Sequence, residues 1–310
     1  MALSVLSMSA QDKMDVIFDN DFAGDPDGLC ALAQMMQSTS IGVKAIIGSH
    51  LHEGENWMKP GEPSATIAIA EVRRLQHIMK ADWNSLIVQG SNTALSDTIT
   101  PICSDGAKAI VEEALRHDAK HPLYVLCGGG LTEIASAWLM NPEIESRIVL
   151  AWIGGEEYPA TIPTKRNDPE YNTTIDTKAA QVIFNRSNIV IWQIPRDAYR
   201  LCLISYAMLE NRLKGSDTGD YLLAKLRNNI GPDRNAEAYV LGDSPLVLLT
   251  ALRSNWEPDA CSSVYTWRDR PRVTDKGRYE FLNNKSKVSV YRSLDTYLMF
   301  EDMFAKLNMK

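Results

Sequence analysis

The chain has 310 residues and a formal net charge of -7, and this acidic balance argues against nucleic acid or an anionic membrane as a general partner. Its 45% hydrophobic and 23% charged residues are typical of a folded globular protein. The length suits one large α/β domain, and we expect residues 1–310 to form a single domain. The sequence has no apolar segment near the roughly 18 residues that a membrane-spanning helix needs.

Short runs rich in Val, Ile and Leu alternate along the chain with helical patterns. The predicted strands are 15–18, 43–47, 86–89, 123–126, 148–153 and 188–192. The predicted helices are 29–36, 65–79, 107–116, 131–140, 177–184, 205–213, 221–227, 244–253 and 294–307. This alternation is typical of βαβ units, and apolar strands indicate a sheet covered on both faces. We therefore predict an α/β fold with a mostly parallel open sheet and helices on both faces.

The cysteines and the N-terminus bear on the cellular compartment. The five cysteines have wide spacings and form no CxxC pair: Cys30, Cys103, Cys127, Cys202 and Cys261. We interpret them as buried free thiols in a reducing compartment, which favours a cytoplasmic protein. Residues 1–10 are mildly apolar and lack a basic start, so they are either a frayed tail or a leader remnant. A leader would make the protein periplasmic or secreted.

Ligands of open parallel sheets bind beyond the carboxyl ends of the strands. The residues that follow each predicted strand are therefore candidates for a site. The segments after the first, second, fourth and fifth strands are polar or glycine-rich: 19–27, 48–50, 128–130 and 154–172.

The first of these segments is an acidic run. Asp19, Asp21, Asp25 and Asp27 fall within nine residues, between an apolar strand and an apolar helix. Ionised carboxylates at this density raise each other's pKa, and a hard divalent cation removes their repulsion. Oxygen ligands without His or Cys favour Ca²⁺ or Mg²⁺ over zinc. The plain alternative is a solvated loop in which Asp27 caps the next helix. The position at the mouth of the sheet favours a metal site.

Two known aspartate motifs can be compared with this run. An EF-hand loop counted from Asp19 needs an oxygen ligand at its fifth position and Glu at its twelfth, where the chain has Ala23 and Cys30. The EF-hand is therefore excluded. The haloacid dehalogenase phosphatases use a strand ending in DxDx[TV], and residues 19–23 supply the two acids without the Thr or Val. A Mg²⁺-dependent aspartate phosphatase remains an alternative function.

The run 19–27 resembles the signature DxDPGxDD of the inosine-uridine preferring nucleoside hydrolases, and more closely the variants DTDxGxDxDD. Four further segments resemble motifs of that family in the same order: 125–135 (TGxLTNxA), 148–155 (a hydrophobic strand ending in Met-Gly-Gly), 169–180 (AEFNxxxDPEAA) and 242–245 (His-Asp-Pro). Together the five segments span most of the chain. The sequence therefore looks like a divergent member of this family.

The resemblance implies a nucleoside hydrolase-like α/β fold and hydrolysis of the N-glycosidic bond of a ribonucleoside or related ribosyl compound. It also implies a Ca²⁺ at the bottom of the pocket, which holds the ribose diol and activates water. At the matching positions, Asp21 is a metal ligand and the general base toward the attacking water. Asp27 and Asp243 are further metal ligands, and the backbone carbonyl of Gly128 is a neutral ligand.

The same resemblance implies a set of sugar contacts. Asp25 is placed on the ribose diol, and Ser49 falls where the family usually has an asparagine that contacts the sugar. Glu170 and Asn172 are expected to bind sugar hydroxyls. Plain alternatives remain: Glu170 as a surface acid, Asn172 as a turn residue and Asp243 as a helix cap. The expected partner is a small nucleoside or ribosyl substrate, and a dimer or tetramer is implied because family members commonly form them.

The chain departs from the family before the first helix, where Asp25-Pro26-Asp27 replaces adjacent aspartates. If Pro26 is an insertion, Asp27 is the metal ligand and Asp25 binds the diol. If Gly28 instead occupies the place of the second acid, one ligand is missing. We favour the first alignment, because residues 28–32 then match the small-large-small start of the family helix.

A second departure affects the leaving group. The histidine that protonates the leaving base in purine–pyrimidine members falls at Gly242, which has no side chain. Activation is then expected from His50, His52 or a tryptophan that stacks on the base, although histidines are as often plain loop residues. Trp57, with the loop 51–63, is a candidate lid. These departures keep open a nucleoside hydrolase-like protein that binds or acts on another sugar conjugate.

Overall fold

The computed structural model describes residues 13–55, 62–159, 168–229, 235–254, 263–283 and 286–308. The predictions made for residues 1–10, Trp57 and Cys261 lie outside these ranges. Every predicted strand and helix corresponds to an element of the structure, with ends that shift by a few residues.

Within the described ranges the chain forms a large central sheet, two small antiparallel strand pairs and a set of helices. The strands are β1 (Met14–Asn20), β2 (Ile41–Gly48), β3 (Ile87–Gln89), β4 (Leu123–Cys127), β5 (Ile148–Ile153), β6 (Val190–Ile194), β7 (Leu203–Ser205), β8 (Ala238–Val240), β9 (Val264–Asp269), β10 (Arg272–Val273), β11 (Tyr279–Glu280) and β12 (Lys287–Ser293). The helices are α1 (Asp27–Met36), α2 (Ser64–Ile78), α3 (Asp105–Ala114), α4 (Thr132–Met140), α5 (Tyr171–Ile175), α6 (Thr177–Arg186), α7 (Arg196–Tyr199), α8 (Tyr206–Leu213), α9 (Asp217–Asn228), α10 (Pro245–Ala251) and α11 (Thr296–Leu307). A 3₁₀ helix spans Pro142–Ser146.

The central sheet has the strand order β3-β2-β1-β4-β5-β6-β12-β9. Its described strands pair in parallel, except that β9 runs antiparallel to β12 at one edge. The chain moves outward from β1 through β2 to β3, and then returns to the other side of β1 at β4. The strand order reverses there, so the carboxyl ends of β1 and β4 border a crevice. The predicted fold class, an α/β fold with a mostly parallel sheet, is confirmed.

Alternate residues of β1 enter two apolar layers, one on each face of the sheet. Val16 and Phe18 belong to the layer that includes residues of α1, α2 and α10. Ile17 belongs to the opposite layer, which includes residues of α3, α4 and α6. All three side chains are fully buried, and burial of each contributes on the order of 1.5–3 kcal/mol. The helices therefore cover both faces, as predicted.

Strands β9 and β12 extend the sheet beyond the strands predicted from the sequence. In β9, Val264, Tyr265 and Trp267 are exposed. In β12, buried Val288 and Val290 alternate with more exposed polar residues. These two strands lack the continuous apolar runs of the inner strands, and such runs are the pattern that predicts a buried strand.

Three cysteines are free and buried, as predicted: Cys30, Cys127 and Cys202. Cys103 is free but exposed, so the prediction of burial was wrong for this residue. It lies in the irregular segment before α3, outside the apolar runs that place the other three in the interior.

None of the helices in the described part of the chain is both long and apolar enough to cross a membrane.

The turn after β6 is held by a buried ion pair. Arg196 begins α7 and is 3% exposed, and its guanidinium donates to both Glu157 carboxylate oxygens at 2.7 and 2.8 Å. The same side chain donates to the backbone carbonyl of Asp168 at 3.0 Å. These contacts tie α7 to the segments that follow β5, and so fix the position of the residues after α7.

Replacement of Arg196 by Gln should lower the free energy of unfolding by about 3 kcal/mol, because Glu157 then keeps a largely buried charge without its partner. Arg272→Gln is the matched control. Its ion pair with Glu280 joins side chains that are 57% and 47% exposed. Its loss should cost less than about 1 kcal/mol. Urea unfolding measures both values, and equal losses would contradict a structural role for the buried pair.

Candidate active site

A cavity of about 370 Å³ opens at the carboxyl ends of β1, β4 and β5. Its wall includes most of the residues predicted from the sequence: Asp21, Asp25, Asp27, Gly128, Glu170, Asn172 and Asp243. A larger groove of about 910 Å³ lies along α2 and α9, and of the acidic run only Gly24 and Pro26 reach it. We place the candidate site in the smaller cavity because the predicted side chains converge there.

Two hydrogen bonds bring Asp243 to this cavity. Asn20 Nδ2 donates to Asp243 Oδ2 at 2.7 Å, across 223 positions of the chain. The backbone N–H of Asp243 donates to Asp27 Oδ2 at 3.1 Å. The end of β1, the start of α1 and the turn before α10 therefore form one hydrogen-bonded unit.

The packing of the first turn of α1 distinguishes the two alignments of the acidic run. A Cβ atom on Gly28 would lie 2.2 Å from Asn20 Oδ1, so the helix packs against the end of β1 only with glycine at this position. Asp27 instead lines the cavity, and its Oδ1 accepts from the backbone N–H of Gly28 at 2.8 Å. This arrangement favours the alignment in which Pro26 is an insertion and Asp27 is the ligand.

Asp25 is oriented by a chain of hydrogen bonds that the sequence did not reveal. Tyr239 Oη donates to Asp25 Oδ1 at 2.6 Å, and Asn229 Nδ2 donates to Tyr239 Oη at 2.7 Å. Burial raises the pKa of Asp25, and the hydrogen bond from Tyr239 opposes this rise. One oxygen of Asp25 is thus held by the protein.

The carboxylates of the cavity raise one another's pKa. Burial is the largest cause at Asp21, and the charge of Asp243 is the next. The same two causes, in the same order, raise the pKa of Asp27. Burial raises the pKa of Asp243 itself to about 7. Like charges this close in a buried space are stabilised by a proton or by a cation.

Ser49 and Asp19 are buried next to one another, and neither is among the residues of the cavity wall. Burial, followed by the charge of Glu133, raises the pKa of Asp19, and the neighbouring Ser49 hydroxyl opposes this rise. Within the described residues, neither Asp19 carboxylate oxygen nor the Ser49 hydroxyl has a well-formed hydrogen bond. Ser49, a predicted sugar contact, therefore lies off the cavity wall.

Glu170 is fully buried and caps α5, so the alternative of a surface acid is wrong. Its Oε2 accepts from the backbone N–H of Gly155 at 2.8 Å and from the N–H and hydroxyl of Thr173, both at 2.9 Å. Its Oε1 accepts from the backbone N–H of Asn172 and the hydroxyl of Tyr199, both at 3.1 Å. A sugar hydroxyl could bind this carboxylate only by displacing one of these donors. Tyr199 is the residue that donates through its side chain and also lines the cavity, so its hydroxyl is the donor that a sugar would displace.

Gly128 leaves room for the pair formed by Asn20 and Asp243. A Cβ atom on Gly128 would lie 2.1 Å from Asn20 Nδ2 and 2.7 Å from Asp243 Oδ2. Asn172 Nδ2 donates to the carbonyl of Ile153 at 2.8 Å and approaches the carbonyl of Gly128 at 3.4 Å. Asn172 therefore lies beside the carbonyl that the resemblance assigns to the metal.

Neither His50 nor His52, both in the described part of the chain, lines the cavity. His50 Nδ1 lies 2.7 Å from the backbone carbonyl oxygen of Leu51, and its Nε2 lies 2.9 Å from Thr132 Oγ1. Burial lowers the pKa of the His50 ring. His52 Nε2 lies 3.3 Å from Thr174 Oγ1, and its ring meets Tyr171 edge-on at 4.8 Å. Both rings contribute to the packing of the loop after β2.

Several residues of the site were missed by sequence reasoning. Tyr171, Tyr199 and Arg200 line the cavity. Tyr199 and Arg200 follow β6, so the rule that ligands bind beyond strand ends would have found them if it had been applied to the sixth strand. Tyr239 carried no such signal, because it reaches Asp25 across 214 positions of the chain.

The donors on the wall suit a hard divalent cation. Asp21, Asp27 and Asp243 offer carboxylate oxygens and Gly128 offers a carbonyl, with no His or Cys among the described wall residues. Asn20 Oδ1, buried nearby, lacks a hydrogen-bond partner within the described residues. As these side chains stand, the described ranges contain no group of three His, Cys, Asp or Glu residues arranged to hold a metal ion. The chemistry of these oxygen donors fits calcium.

The sequence matches no protein-family model and no curated protein sequence. Solved structures nevertheless share its fold. A plant nucleoside hydrolase aligns with a TM-score of 0.74 at 16% identity, over 96% of this chain and 100% of that chain. An inosine-guanosine nucleoside hydrolase aligns with a TM-score of 0.72 at 14% identity, over 96% and 100%. A purine-preferring ribonucleoside hydrolase from Gardnerella vaginalis aligns with a TM-score of 0.71 at 15% identity, over 94% and 98%.

The chain therefore has the fold of the nucleoside hydrolases. The resemblance inferred from five short segments is confirmed at the level of the fold, over nearly the whole chain.

Replacement of Gly128 by Ala should destabilise the protein by about 1–3 kcal/mol, because the added methyl group forces apart Asn20 and Asp243. Gly42→Ala is the control, since the nearest atom to a Cβ there lies 3.4 Å away. Its effect should stay within about 0.5 kcal/mol. Urea unfolding measures both variants. A Gly128→Ala protein as stable as the wild type would contradict this prediction, because Asn20 and Asp243 could then shift apart without loss of stability.

Proposed function

We propose that the protein hydrolyses the N-glycosidic bond of a ribonucleoside or a related ribosyl compound. The observation that carries this proposal is the convergence of Asp21, Asp25, Asp27, Gly128 and Asp243 on one cavity where the strand order reverses. The fold shared with solved nucleoside hydrolases supports it.

We propose Ca²⁺ as the cofactor, held by the carboxylates of Asp21, Asp27 and Asp243 and by the Gly128 carbonyl. When bound, calcium polarises water and ligates sugar hydroxyls. The absence of His and Cys from the described wall supports a hard, oxygen-preferring ion over zinc.

Asp21 is the proposed general base, which accepts the proton of the attacking water. The neighbouring carboxylates stabilise the positive charge that develops on the sugar as the glycosidic bond breaks. Asp25 and Asn172 are the proposed sugar contacts, since each lines the cavity and is oriented by a hydrogen bond. Glu170 caps the start of α5. It becomes a further sugar contact if a sugar hydroxyl takes the place of the Tyr199 hydroxyl at its carboxylate.

The first test is release of free ribose from a panel of ribonucleosides and from p-nitrophenyl riboside, with and without a strong chelator. The chelator should abolish release, and added calcium should restore it. Asp21→Asn should lower the rate about 10³-fold, because the nearly isosteric amide cannot accept the proton. Asp105→Asn is the control, with a side chain that is 76% exposed at the start of α3, and it should keep the wild-type rate.

Other outcomes of this test identify the alternatives. With p-nitrophenyl phosphate added to the panel as a phosphate monoester, Mg²⁺-dependent phosphate release without ribose release from the other substrates would indicate an aspartate phosphatase. Thermal stabilisation by a nucleoside or sugar without any product would indicate a binding protein.

Calcium binding has a readout that does not depend on turnover. Free Ca²⁺ at 100 times its Kd should stabilise the wild-type protein by about 2.7 kcal/mol, seen as a rise in Tm. Asp243→Asn should lose most of this rise, because it removes one charge from the proposed ligands. Asp118→Asn, whose side chain is 82% exposed, should retain it. A full calcium response in Asp243→Asn would remove Asp243 from the ligand set.

A further inference from the structure

The cavity wall divides into an acidic floor and a less polar mouth. The floor carries four carboxylates: Asp21, Asp25, Asp27 and Asp243. Of the other described wall residues, Tyr171, Tyr199 and Val240 are half-buried and Arg200 is exposed, and we call these four residues the mouth. A sugar that develops positive charge is stabilised at the floor, so the group that it releases departs toward the mouth.

Gly242 contributes no side chain to the mouth. A Cβ atom there would lie 3.3 Å from Asp27 Oδ2 and 3.5 Å from Tyr199 Cδ2. A side chain at this position would thus begin between the acidic floor and the Tyr199 ring. Glycine leaves that space open, and the leaving group must be stabilised by another residue.

The tyrosine hydroxyls of the mouth already donate to carboxylates. Tyr199 Oη donates to Glu170 at 3.1 Å, and Tyr171 Oη donates to Glu55 at 2.6 Å. Burial, followed by the charge of Glu170, raises the pKa of Tyr199. Burial, followed by the hydrogen bond to Glu55, raises the pKa of Tyr171. Neither phenol is therefore a ready source of a proton.

Arg200 is the only cationic side chain among the described residues of the wall. It follows α7 directly, and its backbone N–H donates to the Arg196 carbonyl at 3.3 Å. Because Arg196 is clamped by Glu157, the backbone at Arg200 is held in place, whereas its side chain is exposed. A long side chain on an anchored backbone can follow a ligand at the mouth.

We propose that Arg200 binds the leaving group, an inference that rests on the proposed hydrolysis. The water oxygen bonds to the anomeric carbon, and its proton passes to the Asp21 carboxylate. The C–N bond breaks, and its electron pair stays on the base. The guanidinium of Arg200 donates hydrogen bonds to this anionic base, which takes a proton from solvent as it departs. Asp21 returns its proton to solvent, so the products are the free sugar and the neutral base.

The chemistry of arginine suits this role. Its guanidinium stays protonated, so it stabilises an anion by charge and by two parallel donors without giving up a proton. Loss of one preorganised donor to a developing anion typically lowers a rate by about 10²–10³-fold. A leaving group that is stable as an anion, such as p-nitrophenolate, needs this help much less than a nucleobase does.

The test compares inosine with p-nitrophenyl riboside in the full-length, calcium-loaded protein. Arg200→Gln should lower kcat/KM for inosine about 10²-fold and for p-nitrophenyl riboside by less than about 3-fold. Arg200→Lys should recover part of the loss on inosine, because it keeps the charge but not the fork. Arg272→Gln, an exposed arginine outside the cavity, should leave both substrates unchanged.

Each other result has a definite meaning. Equal losses on both substrates would overturn the proposal, because Arg200 would then act on the sugar or on folding. Unchanged hydrolysis of inosine by Arg200→Gln would overturn it as well. If the wild-type protein released ribose from p-nitrophenyl riboside and from every ribonucleoside of the panel at no detectable rate, the proposed hydrolysis itself would fail, and the role of Arg200 with it.

Discussion

Asp21, Asp27 and Asp243 are held together in a buried space although each is destabilised there by burial and by its neighbours. The hydrogen bond from Asn20 to Asp243, with the backbone bond from Asp243 to Asp27, opposes that repulsion. Glycines stand where these groups meet the backbone, because a side chain would occupy their space. The local structure of the site therefore follows from one constraint. The like-charged carboxylates must stay close together while the end of β1, the start of α1 and the turn before α10 remain packed against one another.

The topology of the sheet makes this arrangement possible. Because β1 lies between β2 and β4, the loop that follows β1 has a crevice beside it, into which later segments can reach. Gly128 enters from the next strand, Asn172 from beyond β5 and Asp243 from the turn before α10. A site assembled from such distant segments depends on the whole sheet, so changes far from the cavity can alter it.

The two parts of the cavity suit the two products of the proposed glycosidic cleavage. The floor concentrates negative charge where a sugar would carry a developing positive charge. The mouth offers tyrosine rings and one guanidinium, which match an aromatic group that departs with an electron pair. Glu170 and Arg196, both buried, secure the segments that carry Asn172, Tyr199 and Arg200.

The sequence alone determined the alternation of elements and the position of the acidic run, because buried parallel strands are apolar throughout and polar residues after them stand out. It also revealed Asp243 and Glu170 through short motifs. Only the tertiary structure decided that Asp27 rather than Gly28 faces the cavity, since this depends on packing against Asn20. It also decided that Ser49 lies off the wall and that Tyr239 reaches Asp25. Such contacts join residues far apart in the chain, and no local pattern of residues encodes which distant side chain will arrive.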